Sequence, residues 1–175
     1  MTLARIGLAI TLTLSPVVYA QPEGDAAGAP GGANERPLYG GIHVGRMLPF
    51  GIYGVRSIYP YWGGRFGHPF GDLDLEWSFF SAVGNGVKFH TASLSLAFWQ
   101  EFEGIDYITY IGLDLHYYSG HTNVQTLPYS TSAGGHVGVS PLIKFGKAGA
   151  FRVDFKMDFN PGRALYVGAG PQINF

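Results

Sequence analysis

The sequence predicts an all-β fold: an antiparallel, up-and-down transmembrane β-barrel of eight strands, with a polar packed lumen and an apolar, lipid-facing exterior. Three observations predict it. Apolar and polar residues alternate with a period of two from Leu38 to Phe175. Charged residues make up 13% of the 175, against roughly 25% in soluble domains, too few to solvate an ordinary outer surface. The face opposite the bulky apolar residues is built largely of glycine, serine and alanine, which suits the inside of a narrow cylinder.

Residues 1–20 read as a cleaved signal peptide. Arg5 is the positive start, Ile6 to Leu14 the apolar stretch, and Val18-Tyr19-Ala20 the cleavage site. The apolar stretch falls short of the roughly 20 residues of a membrane-crossing helix. Residues 21–36 (QPEGDAAGAPGGANER) lack periodicity and are rich in Gly, Ala and Pro, so they read as a disordered linker. Residues 37–175 are the barrel.

The barrel strands are predicted over Leu38–Met47, Tyr59–Gly67, Asp72–Ser81, Lys88–Trp99, Tyr107–Tyr118, Gly134–Phe145, Ala150–Phe159 and Ala164–Phe175. The clearest is Phe151-Arg152-Val153-Asp154-Phe155-Lys156-Met157-Asp158-Phe159. Its odd positions are apolar and its even ones charged, a separation that a strand makes and a helix smears. At a tilt near 40°, strands of this kind cross an apolar band of about 25 Å. Turn signals separate them, among them Gly84-Asn85-Gly86, Glu103-Gly104-Ile105-Asp106 and Asn160-Pro161-Gly162. The stretch Leu48–Tyr61 reads either as a loop or as further strand, which leaves a ten-strand reading open.

The bulky apolar set, such as Leu73, Trp77, Phe79, Leu113, Ile143 and Phe155, is too large for an eight-strand lumen, so it is assigned to the outside. Aromatics near strand ends (Tyr39, Tyr59, Tyr61, Trp62, Trp99, Phe102, Tyr107, Tyr117, Tyr118 and Tyr166) read as interfacial girdles. The charges then point inward: Asp74, Glu76, Asp114, Asp154 and Asp158 against Arg65, Lys144, Arg152 and Lys156, with His43, His116 and His136 on the same phase. An unpaired charge in a closed lumen costs several kcal/mol, so these are expected to form an interior ion-pair network.

The last run, Leu165 to Phe175, alternates strictly and ends on an aromatic. It resembles the closing strand of bacterial outer-membrane barrels, an end that the barrel-assembly machinery reads in that family. From Leu38 to Phe175 the chain resembles the small eight-stranded barrels of the OmpX type and the OmpA transmembrane domain. The resemblance rests on architecture, signal peptide and Phe175, not on a diagnostic motif. It implies the bacterial outer membrane, export through the periplasm with both barrel ends periplasmic, contact with lipid and lipopolysaccharide, and Phe175 as assembly signal. The connections at 48–58, 82–87, 119–133 and 160–163 then face outward. Loops 48–58 and 119–133 offer Tyr53, Arg56, Tyr59, His121, Asn123 and Tyr129 to an extracellular ligand. With no peptidoglycan-binding domain after Phe175 in this sequence, wall anchoring of the OmpA kind is not expected.

Chemistry is thinly signalled. The family of outer-membrane lipid A deacylases carries a His-X-Ser-Asn stretch on a late strand, and Phe151–Gly162 has neither His nor Ser. His90 and Ser93 are three apart, so a strand puts them on opposite faces, wrong for a base and its nucleophile. The lumen-phase histidines come from three different strands and read as hydrogen-bonded lumen residues, so no metal site is expected. There is no nucleotide motif and no cysteine, and the net charge of −1 argues against nucleic acid. The expectation is a structural or surface-interaction barrel, with no enzymatic activity and no cofactor. A narrow pore, a lipid-modifying enzyme and a soluble lipocalin-like binder stand as alternatives.

Overall fold

The computed structural model describes residues 36–50, 55, 57–121, 126–146, 148–159 and 163–175. The predicted signal peptide, and the linker up to residue 35, lie outside them. Eight strands follow one another: β1 (Tyr39–Pro49), β2 (Tyr59–Phe70), β3 (Leu73–Gly84), β4 (Val87–Phe102), β5 (Ile105–His121), β6 (Thr126–Lys144), β7 (Gly149–Asp158) and β8 (Ala164–Asn174). Each pairs antiparallel with its neighbour, and β8 pairs with β1, closing the barrel. Closure leaves no edge strand in the barrel wall, although β6 before His136 pairs with β5 alone. At the seam, Tyr39 lies opposite Asn174, and the Phe175 amide donates to the Leu38 carbonyl at 2.8 Å. Both ends of the described chain therefore lie at one rim, the terminal rim. The Asn85-Gly86 turn, the end of β1 at Pro49 and the end of β5 at His121 lie at the other, the loop rim.

The first six strands run longer than predicted, while β7 and β8 keep close to their predicted lengths. The turns shrink to Gly71-Asp72, Asn85-Gly86 and Glu103-Gly104, because positive φ at Gly71, Asn85, Gly86, Glu103 and Gly104 reverses the chain in two residues. The largest change is at 119–133. In place of a loop, β5 runs to His121 and β6 starts at Thr126, so the hairpin projects beyond its neighbours. Serine and threonine at Ser130, Thr131 and Ser132 hide this strand from a reading based on hydrophobic alternation. A register shift between Tyr118 and Gly120 accommodates the extension. The ten-strand alternative has no counterpart among the described residues.

The pleat sorts the side chains as assigned. Trp77, Ile111, Leu113, Leu115, Ile143 and Phe155 stand exposed on the exterior, Leu113 at 71%. The charged and small residues turn inward, where Arg152, Lys156, Glu76 and Asp74 are among the most deeply buried side chains. The girdle assignment needs correction. Trp62, Phe102 and Tyr117 do face outward, but Tyr39, Tyr59, Tyr61 and Tyr166 are inside, each at most 3% exposed, and Trp99 and Tyr118 pack against the lumen clusters. They share the lumen phase of their strands, and glycines make room for Tyr39 and Tyr61. A Cβ on Gly67 would strike the Tyr39 ring, and one on Gly45 or Gly168 would strike Tyr61.

The lumen is accordingly layered. An apolar cluster of Met47, Val55, Tyr59, Phe80, Phe89 and Tyr166 fills it towards the loop rim. A second, of Ala97, Ile108, Tyr110, Leu142 and Ala150 with Trp99 against it, lies towards the terminal rim. The charges occupy the space between, cut off from bulk water.

Candidate functional site: the charged lumen

Two ion-pair layers cross the barrel. The layer nearer the terminal rim centres on Arg152 of β7. Its Nη1 and Nη2 reach Glu76 of β3 at 2.5 and 3.2 Å, and its Nε reaches Asp154 Oδ1 at 3.1 Å. Arg65 of β2 grips the same Asp154 with both terminal nitrogens, Nη1 at 2.9 Å, and donates from Nη2 to His43 Nδ1 at 2.8 Å. The Ser140 hydroxyl also donates to Asp154, at 2.5 Å, and the Tyr39 hydroxyl donates to Glu76 at 2.9 Å. The Tyr110 ring lies under the Arg152 guanidinium, 5.4 Å from centroid to carbon. Planar guanidinium forks shared between two carboxylates suit a dry site, because almost every donor and lone pair finds a partner.

The layer nearer the loop rim centres on Lys156, four residues beyond Arg152 on β7 and so on the same face. Its ammonium lies 3.0 Å from Asp114 Oδ1 and 2.7 Å from Asp158 Oδ1, above the rings of Phe80 and Tyr166. Asp114 Oδ1 also accepts from the Ser93 hydroxyl and lies 2.9 Å from His136 Nδ1. His136 Nε2 pairs with Ser95 Oγ at 2.8 Å, and His116 Nδ1 with Thr91 Oγ1 at 3.1 Å.

Of the sequence-predicted network, the structure brings Arg65, Asp74, Glu76, Asp114, His116, His136, Arg152, Asp154, Lys156 and Asp158 into the lumen. Lys144 is the exception and is corrected. It ends β6, its side chain is 55% exposed, and it pairs with Asp106 at 2.7 Å on the terminal rim. A long ammonium chain at the last rung finds water more cheaply than a buried partner. The cation missed in its place is Arg36, assigned to the linker. It lies 3.3 Å from Asp74 and donates to the carbonyls of Gly71 and Leu73 at 2.9 Å. Asp74 also accepts from the Trp99 indole N–H. Nothing in the local pattern marks Arg36, because it precedes the first alternating residue. Arg36, Tyr39, Trp99 and Lys144 line a vestibule of about 440 Å³ at the terminal rim.

Of the predicted loop contacts, Tyr59 is also corrected. It opens β2 facing inward and stacks edge-on against Phe89, centroids 5.6 Å apart. Tyr53, Arg56 and Asn123, and the side chains of His121 and Tyr129, lie outside the described residues. Phe175 is 72% exposed at the terminal rim. His90 stacks between Phe79 and Tyr117 on the outer face, while Ser93 is inside, so the two form no catalytic pair.

Comparison with known proteins finds the architecture and little else. No protein-family model matches, and no curated protein matches. Among solved structures, the crystal structure of Neisserial surface protein A (NspA) is similar with a TM-score of 0.68 at 11% identity, over 79% of this chain and 97% of that one. The crystal structure of the N-terminal β-barrel domain of Pseudomonas aeruginosa OprF is similar with a TM-score of 0.61 at 14% identity, over 80% of this chain and 98% of that one. At these identities the likeness is one of fold. The chain is a closed eight-stranded antiparallel barrel of the kind found in small outer-membrane proteins.

Proposed function

We propose that this protein is an integral barrel of the bacterial outer membrane with a structural or surface-interaction role, its lumen plugged by side chains. One observation carries the reading: the large apolar side chains ring the outside of a closed barrel while its ionised side chains are buried within. In water that arrangement exposes what should be buried and buries what should be exposed; in a bilayer the apolar exterior is matched to its solvent. The similarity to NspA and the OprF barrel domain supports the same location.

The two charged layers and the apolar clusters beside them favour a plug over a pore. Ser95, His136 and Asp114 do line up as hydroxyl, imidazole and carboxylate, but each is at most 3% exposed within the packed lumen, which favours a structural hydrogen-bond chain over an enzyme. In this reading lipid and lipopolysaccharide surround the exterior, the barrel-assembly machinery reads the end at Phe175, and the loop rim faces outward to meet any extracellular ligand.

Heat-modifiability tests the proposal. Envelope fractions are run on SDS gels unheated and boiled. The expected result is a membrane-pellet protein whose unheated band migrates away from its boiled band, as a closed barrel that resists the detergent does. A protein found in the soluble fraction with no shift would sink the proposal and favour the lipocalin-like alternative.

A further inference from the structure

The charges of the lumen do not balance layer by layer. Towards the terminal rim, Glu76, Asp154 and Asp74 meet Arg152, Arg65 and Arg36, three against three. Towards the loop rim, among the described residues, Asp114 and Asp158 meet one ammonium, Lys156, and two imidazoles, His136 at 2.9 Å from Asp114 and His116 at 3.9 and 4.0 Å from Asp114 and Asp158. With both imidazoles neutral, that layer is one positive charge short, in a place where an uncompensated carboxylate is expensive.

The shortfall has a direction. Lys156, His136 and Ser93 all crowd onto Asp114 Oδ1. Its other oxygen, Oδ2, is buried and makes no hydrogen bond to any described residue. His116 Nε2, buried and likewise without a hydrogen bond to any described residue, faces that oxygen at 3.9 Å. Asp158 Oδ2 lies 4.0 Å from the same imidazole, on its Nδ1 side. One atom from each of Asp114, His116 and Asp158 lies within 4.8 Å of the other two.

From this geometry we infer that Asp114, His116 and Asp158 form a binding site for a divalent transition-metal ion of the Zn²⁺ type, inside the lumen. Two carboxylate oxygens and one imidazole nitrogen are a fitting donor set for such an ion. Tetrahedral ligands around zinc stand about 3.4 Å apart, so closure requires His116 and Asp114 to approach by about 0.5 Å and the Asp158 carboxylate to turn from the Nδ1 side of the ring towards Nε2. Thr91 on Nδ1 orients the His116 ring and leaves Nε2 to the metal. Ser93 and His136 hold Asp114 from its other oxygen, in the manner of outer-shell partners. A cavity of about 20 Å³ borders His116, Thr91 and Tyr166, room for a single water beside the imidazole. The three lumen-phase histidines do not converge on one site. The geometry joins His116 instead to two carboxylates, on β5 and β7, and leaves His43 in the other layer.

The test uses the detergent-extracted, folded full chain, and the gel shift verifies folding independently of metal. Zinc is measured by elemental analysis after equilibrium dialysis against free Zn²⁺. The expected result is one Zn²⁺ per wild-type chain. His116→Gln and Asp158→Asn keep the unheated band and bind at least about tenfold more weakly. His68→Gln, at the terminal rim, binds as wild type. On the wild type alone, Zn²⁺ raises, relative to EDTA, the temperature at which the unheated band converts. A folded wild-type barrel that takes up no zinc, or whose conversion temperature zinc leaves unchanged, overturns the inference. So do His116→Gln and Asp158→Asn barrels that bind like the wild type, which would make the zinc adventitious.

Discussion

Arg152 shows how much a single buried side chain carries in this lumen. It is 1% exposed and holds Glu76 and Asp154 together from opposite sides of its guanidinium. Removing it leaves two carboxylates facing each other with Arg65 as their remaining close cation. Arg152→Met keeps much of the volume and the apolar stem but loses the charge. It should destabilise the folded barrel by about 3–5 kcal/mol, the typical effect of breaking a buried pair from one side. Urea titration of the unheated gel band, or of the far-UV circular dichroism in detergent, reads this directly. An unchanged midpoint would mean that water reaches the layer and the lumen is not closed. Lys144→Met, by contrast, removes an exposed rim pair worth no more than about 1 kcal/mol, so its midpoint serves as the reference.

At the scale of the strand, the determining feature is the match between glycine on one strand and a ring on another. Gly168 of β8 lies beneath Tyr61, and Gly138 of β6 beneath Tyr110. These glycines are needed for close approach rather than for an unusual backbone angle; a Cβ has nowhere to go without moving an aromatic ring packed in the lumen. Gly168→Val should therefore cost about 1–3 kcal/mol through overpacking. It should also lower the conversion temperature of the unheated band, whereas Gly64→Ala on the same barrel should not, because its nearest neighbour leaves ordinary van der Waals room. Equal effects from the two would show that loss of chain flexibility, and not the ring above Gly168, sets the penalty.

For the whole molecule, the decisive property is that inside and outside are exchanged relative to a soluble barrel. The outer belt is continuous enough that a single charge placed in it reports on its surroundings. Leu113, 71% exposed near the middle of β5, is the position of choice. In a bilayer, Leu113→Arg should destabilise the barrel by about 2–4 kcal/mol, and the same change near either rim by much less. In water, an exposed Leu→Arg change is close to neutral. Folding titrations into lipid vesicles measure the difference, and a neutral result at mid-strand would remove the membrane from the account.

The chain itself determined the number of strands, their direction and the face each residue takes. Alternation with a period of two is a local property, and closure into a narrow cylinder forces the bulky set outward. For that reason the inward phase of Arg65, Glu76, Asp114, Arg152, Asp154, Lys156 and Asp158 is legible in the alternation alone. Height along the barrel axis is a different matter. It depends on strand tilt and on the register between strands, and neither is encoded in one strand alone. Only the tertiary structure decided that Arg152 meets Glu76, 76 residues away, and that Lys144 stops at the rim while Arg36 takes a place beside Asp74. It also decided that Tyr39, Tyr59, Tyr61 and Tyr166 turn inward, with Tyr39 and Tyr61 filling space opened by glycines on other strands. The meeting of Asp114, His116 and Asp158 is of the same kind. Periodicity puts each on the lumen face, and it takes the register of β5, β6 and β7 to bring their free atoms to one height.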